Sequence, residues 1–223
     1  MTDMIDWLYR GDVFLFHLIN TTWTSGFLDR VMPLFSDFHF WHIPIFVLAA
    51  LMLVFGKYRA RLFVILLLLG LLIGDTGVSQ CIKKATHRAR PFQVLADARH
   101  VSLRGVDPPD KPHRRTGNSM NSSHTANMVC AALLASALFY PWGRMVWVLA
   151  VLVAYSRIYT GNHYPSDVLI SCFVALFTFS VLRYGGLWLW RHTAPKMAPA
   201  LYEKYPGFFP EKPGRAFQGS EPI

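Results

Sequence analysis

Charge is scarce in this chain. Only 16% of its 223 residues are Asp, Glu, Lys or Arg, against roughly a quarter in a soluble domain. With 53% hydrophobic residues, that shortage excludes intrinsic disorder and an ordinary soluble enzyme. Acids are the rarer sign, 13 against 22 Lys and Arg, leaving a formal charge of +9. A basic balance points to nucleic acid, a membrane surface or an anionic substrate. Nucleic acid is not expected here, because the apolar runs below make the membrane the natural setting. Cysteine is rare as well. Cys81, Cys130 and Cys172 are too few and too scattered for a disulfide framework or a zinc site, and each lies in or beside an apolar run, as a small core residue does. The first ten residues carry acids and lack a basic start, so no cleavable signal peptide is expected.

What is abundant is apolar sequence in long runs. Residues 38–56 and 125–143 carry no Asp, Glu, Lys or Arg. Residues 62–82 carry only Asp75, residues 145–159 only Arg157, and residues 168–190 only Arg183. A bilayer core needs about 20 apolar residues as helix, so each run is a spanning candidate. The fourth is short and relies on Arg144 snorkelling at one end. Residues 13–28 are uncharged but diluted by Asn20, Thr21, Thr22, Thr24, Ser25 and Gly26; they form either a sixth span or a helix lying in the interface. The expected fold is therefore an all-α polytopic membrane bundle of five strong spans plus this N-terminal helix. Residues 1–192 make the membrane domain, and residues 193–223, rich in Pro, Gly and charge, make a loosely ordered cytoplasmic tail.

Orientation follows from the short loops. Lys57, Arg59 and Arg61, then Arg144, then Arg191, Lys196, Lys204, Lys212 and Arg215 fall on one side of a five-span chain, which the positive-inside rule makes cytoplasmic. Trp142, Trp147, Trp188 and Trp190 gather near the same boundary. The basic loop of residues 83–120 then lies outside. Its residues 83–115 hold nine Lys or Arg (Lys83, Lys84, Arg88, Arg90, Arg99, Arg104, Lys111, Arg114, Arg115) against Asp97, Asp107 and Asp110. A basic loop on the outer side calls for an anionic ligand.

Three polar clusters fall at the outer ends of the spans. In the first, residues 83–91, Lys83 and Arg90 are seven apart and share a helix face, Lys84 points elsewhere, and Pro91 ends the helix. In the second, Asn118, Ser119, Asn121, Ser122, Ser123 and His124 precede an apolar run. Small hydroxyl residues there are ordinary helix caps, but a helix N-terminus also suits phosphate, and His124 can carry a proton near neutral pH. In the third, residues 156–167, His163 and Asp167 are four apart, close enough for the carboxylate to hold one imidazole nitrogen and leave the other basic. Arg157 lies six residues before His163.

The motifs K-x6-R-P at residues 83–91 and S-R-x5-H-x3-D at residues 156–167 make the chain resemble the type 2 phosphatidic acid phosphatase superfamily, integral-membrane lipid phosphatases related to vanadium haloperoxidases. Asn121-Ser122-Ser123-His124 stands where that family usually has P-S-G-H, so Asn121 and Ser123 are departures. The resemblance implies a metal-independent mechanism without cofactor. His163 attacks phosphorus and forms a phosphohistidine, Asp167 orients it, and His124 protonates the leaving oxygen. Lys83, Arg90, Ser122, the Ser123 amide and Arg157 grip the phosphoryl oxygens. Phosphoryl transfer needs positioning and charge neutralisation, which three cations and a helix N-terminus supply; no Walker-type loop is present.

The substrate expected from the resemblance is a phosphorylated lipid: undecaprenyl diphosphate, lipid A 1-phosphate, phosphatidylglycerophosphate or phosphatidic acid, met at the periplasmic face of a bacterial inner membrane. The alternative is a membrane lipid-binding or transport protein with an inactive site, although a transporter gathers its polar groups near the midplane. Asp75, inside a span, reads as a structural carboxylate bonded to Asn127, Ser79 or a neighbouring helix. His87, His100 and His113 lack metal-ligand spacing. Lys84, Arg88, Arg99, Arg104, Lys111, Arg114 and Arg115 are candidates for attracting a headgroup.

Overall fold

Each of the five apolar runs is helical in the computed structural model, which describes residues 2–107, 118–207 and 209. The helices are α1 (Thr2–His17), α2 (Gly26–Ser36), α3 (Phe38–Val54), α4 (Tyr58–Gly70), α5 (Gln80–Thr86), α6 (Pro91–Val94), α7 (Ser123–Leu138), α8 (Val146–Tyr159), α9 (Pro165–Ser180), α10 (Gly186–Met197) and α11 (Pro199–Lys204). Wider π-type turns follow α1 and join α4 to α5 and α9 to α10. Among the described residues, the runs Tyr58–Val94 and Pro165–Met197 are each long and apolar enough to cross a membrane. A third crossing results if α2 and α3, bent by 50° at Asp37, are counted together. Helices α7 and α8, of 16 and 14 residues, are about 24 and 21 Å long at 1.5 Å per residue.

Helix α7 is the centre of the bundle and packs against α4, α8 and α9. Its alanines 126, 131, 132 and 135 are buried, and small residues let helix backbones approach closely. Leu134 and Leu138 then interlock with Leu62, Leu66, Ala150, Ala175 and Leu182. Gly74 belongs to the same logic: a Cβ there would sit 2.9 Å from Thr178 Oγ1. The outside is apolar. Helix α3 buries no residue, and Phe46, Leu72 and Phe173 are more than 60% exposed, a surface that suits lipid rather than water.

The N-terminal segment departs from expectation. Residues 13–28 are not one helix: the chain leaves its helical course after Thr22, and Ser25 caps α2 by accepting from Leu28 N. The polar residues that diluted this run have tertiary work. Asn20 is fully buried; its amide donates to the carbonyls of Arg99 and Tyr159, and its Oδ1 accepts from Arg99 N at 2.8 Å. The tail differs too. Residues 193–204 are helical apart from Ala198, not loosely ordered. Tyr205 stacks on Tyr58 with ring centroids 4.0 Å apart, and its carbonyl accepts from Trp190 Nε1. Pro199 suits this course because it opens α11. Asp110, Lys111, His113, Arg114, Arg115, Lys212 and Arg215 lie outside the described residues.

Candidate active site

All three polar clusters meet at one end of the bundle, where α5 and α8 finish and α7 and α9 begin. Lys83 Nζ donates to Ser123 Oγ at 2.7 Å, Arg90 Nη1 to Asn162 Oδ1 at 3.2 Å, and His163 Nδ1 lies 2.7 Å from the Ser119 carbonyl oxygen. Residues 40 to 72 apart in sequence are joined in this way. Gly161 lets the third cluster turn. Its φ is +80°, and a Cβ would fall 2.4 Å from the Arg99 carbonyl oxygen. Pro165 then opens α9, and Asp167 accepts from Tyr164 N at 2.8 Å in its first turn.

The union of Lys83 and Arg90 is not made by helical register. Helix α5 stops at Thr86, because His87 adopts left-handed backbone with φ 47°, and Arg90 is extended. The reversal carries Arg90 back over the end of α5. Lys83, Lys84, His87, Arg90, Gln80 and Asn118 thus line one cavity of about 510 Å³. Lys84 belongs to that cavity rather than pointing elsewhere, although it is exposed whereas Lys83 is half-buried. Arg90 also borders a second cavity of about 360 Å³, with His124, Arg157, Asn162 and Ser36 among its walls. The Nε atoms of Arg90 and Arg157 are buried and have no hydrogen-bond partner among the described residues. Buried guanidinium donors left unspent are suited to an anion.

Asp167 does not hold His163 directly. Its Oδ2 is 3.8 Å from His163 Nδ1 and instead accepts from Ser119 Oγ and Tyr164 N, both at 2.8 Å. The imidazole is held by the Ser119 carbonyl. A carbonyl oxygen can only accept, so the proton of a neutral imidazole sits on Nδ1 and the lone pair on Nε2. His163 is 4% exposed. Burial, reinforced by Arg157 and Arg90 and opposed by Asp167, pushes it down from its ordinary 6.5 to about 4. The ring is therefore neutral at pH 7.

Ser122 works as the cap of α7: its hydroxyl accepts from Thr125 N, and its own N–H donates to Ser171 Oγ at 2.7 Å. That amide is spent within the protein. Arg157 is buried and anchored on α2, donating to the Ser36 carbonyl at 2.9 Å and to the Ser36 hydroxyl. Ser36 is a supporting residue that spacing did not single out, and Asn118, Ser119 and Asn162, members of the polar clusters, turn out to hold the site together. Asp75 is bonded neither to Ser79 nor to Asn127. Its Oδ1 has no partner among the described residues, and Ser79 pairs with Gly74 and Asn121. His100 pairs with Asp107 at 2.6 Å and stacks on Phe92. No group of three His, Cys, Asp or Glu side chains is placed to hold a metal among the described residues.

The departure at Asn121 has a conformational reason. Its φ is +64°, which asparagine tolerates and proline, locked near −65°, cannot adopt. Its Nδ2 donates to Ser79 Oγ at 2.6 Å, tying the loop to the turn after α4. Asn121→Pro, which restores the residue usual in the family, is therefore expected to destabilise, by about 2 kcal/mol or more. Asn121→Gly should keep the backbone and lose only the side-chain bond. Thermal unfolding in detergent checks this order; a Pro variant as stable as the parent would contradict it.

Comparisons with known proteins place this geometry. The model of the PAP2 superfamily matches residues 59–191, which include Lys83, Arg90, His124, Arg157, His163 and Asp167. The lipid A 4′-phosphatase of Porphyromonas gingivalis is 35% identical over 77 residues, covering 30% of this chain and 32% of that protein. The chain thus aligns with about a third of the length of that curated relative. The fold is similar to the crystal structure of Aquifex aeolicus LpxE, with TM-score 0.55 and 21% identity over 75% of this chain and 91% of the other. It is also similar to the first transmembrane PAP2 type phosphatidylglycerolphosphate phosphatase from Bacillus subtilis, with TM-score 0.54 and 21% identity over 77% and 82%. These folds and the apolar helices agree on an integral membrane protein. With the family match extending over more than half of its length and the three clusters assembled at one end of the bundle, the chain belongs to the PAP2 superfamily.

Proposed function

We propose that this chain is a metal-independent phosphatase acting on a phosphorylated lipid. The observation that carries the reading is the 2.7 Å contact of His163 Nδ1 with the Ser119 carbonyl, which commits Nδ1–H and leaves the Nε2 lone pair for attack. Arg90, Arg157 and Lys83 supply positive charge around it. Nε2 attacks phosphorus and the bond from phosphorus to the lipid oxygen breaks, giving a phosphohistidine. His124 gives its proton to the departing oxygen; the substrate's own negative charge favours that proton among so many cations. Water then attacks the phosphohistidine and returns a proton to His124, and the P–N bond breaks to release phosphate. Lys83, Arg90 and Arg157 neutralise the equatorial oxygens throughout.

The reading includes five membrane spans, with α7 and α8 completed by their flanking turns, and an active site at the periplasmic face of a bacterial inner membrane. The basic short loops on the opposite side support that orientation. Names of relatives guide the choice of substrates: lipid A phosphates and phosphatidylglycerophosphate, beside undecaprenyl diphosphate and phosphatidic acid. The test is phosphate release from this panel by the chain in detergent with excess EDTA. Turnover of at least one lipid, undiminished by chelator, is expected. Loss restored by Mg²⁺ or Zn²⁺ would reject the histidine mechanism, and binding without turnover of any lipid would favour the inactive-site alternative.

A further inference from the structure

Arg88, expected among the residues that attract a headgroup, lines neither cavity. Its guanidinium is turned into the protein. Nη1 donates to Asp167 Oδ1 and to Ser166 Oγ, each at 2.7 Å, and Nη2 donates to Asp12 Oδ2 at 2.6 Å. The group lies 4.0 Å over the Tyr164 ring. Asp12 is on α1, and it also accepts from Ser166 N at 2.8 Å and from Ser166 Oγ at 2.5 Å. Phe16, one turn further on, is fully buried against Tyr164. The N-terminal helix is therefore clamped on the first turn of α9.

These contacts continue inward. Asp167 has no exposure, so its negative charge depends on a cation, and among the described residues Arg88 pairs with it. The other carboxylate oxygen accepts from Ser119 Oγ, and the carbonyl of the same Ser119 holds His163 Nδ1. The links run Asp12, Arg88, Asp167, Ser119, His163, each at 2.6 to 2.8 Å. We propose that Arg88 and Asp12 are positioning residues for His163, so that the N-terminal helix, through Asp167 and Ser119, sets the direction in which the imidazole lone pair points. The inference rests on the reading of His163 as nucleophile. Neither residue meets the cavities, so their effect falls on kcat and leaves KM. Small errors in the aim of a nucleophile are costly in rate.

The experiment measures kcat, KM and the pH dependence of kcat/KM for the full chain in detergent, on a lipid it turns over, at low and high salt. The variants are D12N, R88K, R88Q, the double variant D12N/R88Q, and H163A. D12N is expected to lower kcat on the order of tenfold with KM nearly unchanged, equally at both salt concentrations. The double variant should lose less than the product of the two single losses, because Asp12 and Arg88 share one run of contacts to Asp167. His163 faces Asp167 from α9, Arg157 from α8, Arg90 from the loop and His124 from α7. Removing the charge of Arg88 leaves Asp167 uncompensated and favours the imidazolium, so the acid limb of R88Q should move to higher pH; a loss of folded protein moves no limb. Should R88Q fail to fold, D12N and R88K, which keep a cation on Asp167, carry the test through the same fall in kcat. Wild-type kcat in D12N, a salt-dependent rise in KM at constant kcat, or losses that multiply in the double variant would each overturn the proposal. Turnover by H163A would remove the nucleophile reading itself, a failure visible without any of the other variants.

Discussion

His163→Ala is expected to abolish turnover while leaving the bundle assembled. Alanine leaves the Ser119 carbonyl without its imidazole partner, but Ser119 Oγ, Asp167 and Arg88 keep the bonds among themselves. Chemistry, by contrast, loses the proposed nucleophile, and removing such a group costs several orders of magnitude in rate. More than about a tenth of the parental activity in the alanine variant would end the assignment. The parent enzyme provides a matched pH test. In the proposed mechanism the neutral imidazole attacks, and burial pushes His163 down to about 4. Activity should thus persist as pH falls through 6.5 and decline only as it approaches 4, where the folded imidazole gains its proton. A limb near 6.5 in kcat/KM would mean that the ring is hydrated in the working enzyme.

Lys83→Met and Lys84→Met should part company. Both lysines line the same cavity, carry the same charge and sit side by side in sequence. Lys83 is half-buried with its ammonium on Ser123 Oγ at 2.7 Å, at the entrance to α7, whereas Lys84 is exposed. In the proposed mechanism a bound phosphoryl group replaces or joins the serine at Lys83, through a charge-assisted bond that strengthens as charge spreads in the transition state. Its loss should cost on the order of 2–4 kcal/mol in kcat/KM, about thirty- to a thousandfold. Lys84 contributes attraction through solvent, a few-fold effect that fades with salt. The measurement is kcat/KM for both variants on one lipid at two ionic strengths. Equal losses would show that the cavity works as a diffuse field and that depth in it is unimportant.

Much of the bundle was legible because hydrophobic runs are a local property. Residues 38–56, 62–82, 125–143, 145–159 and 168–190 are helical over most of their length for the reason that made them recognisable, which is that a continuous apolar surface needs its backbone bonded within the segment. The polar clusters were legible for a similar reason. Charge and hydroxyl groups interrupt those runs only where the chain turns, so Lys83, His124, Arg157 and His163 mark helix ends.

Contacts across the fold were another matter. Arg90 joins Lys83 through a left-handed turn at His87, a conformation that the residue type permits without requiring it. The partner of His163 became a backbone carbonyl, and no side-chain spacing encodes a carbonyl. Asp12 and Ser166 meet across 154 residues, and which acid pairs with which arginine depends on how α1 lies against α9, a matter of packed shapes such as Phe16 on Tyr164. Composition and order along the chain thus determined the apolar helices and marked the polar residues that meet at one end of the bundle. Tertiary structure alone decided which atom of each group is held and which is left free, because that depends on distances of a few ångströms between segments remote in sequence.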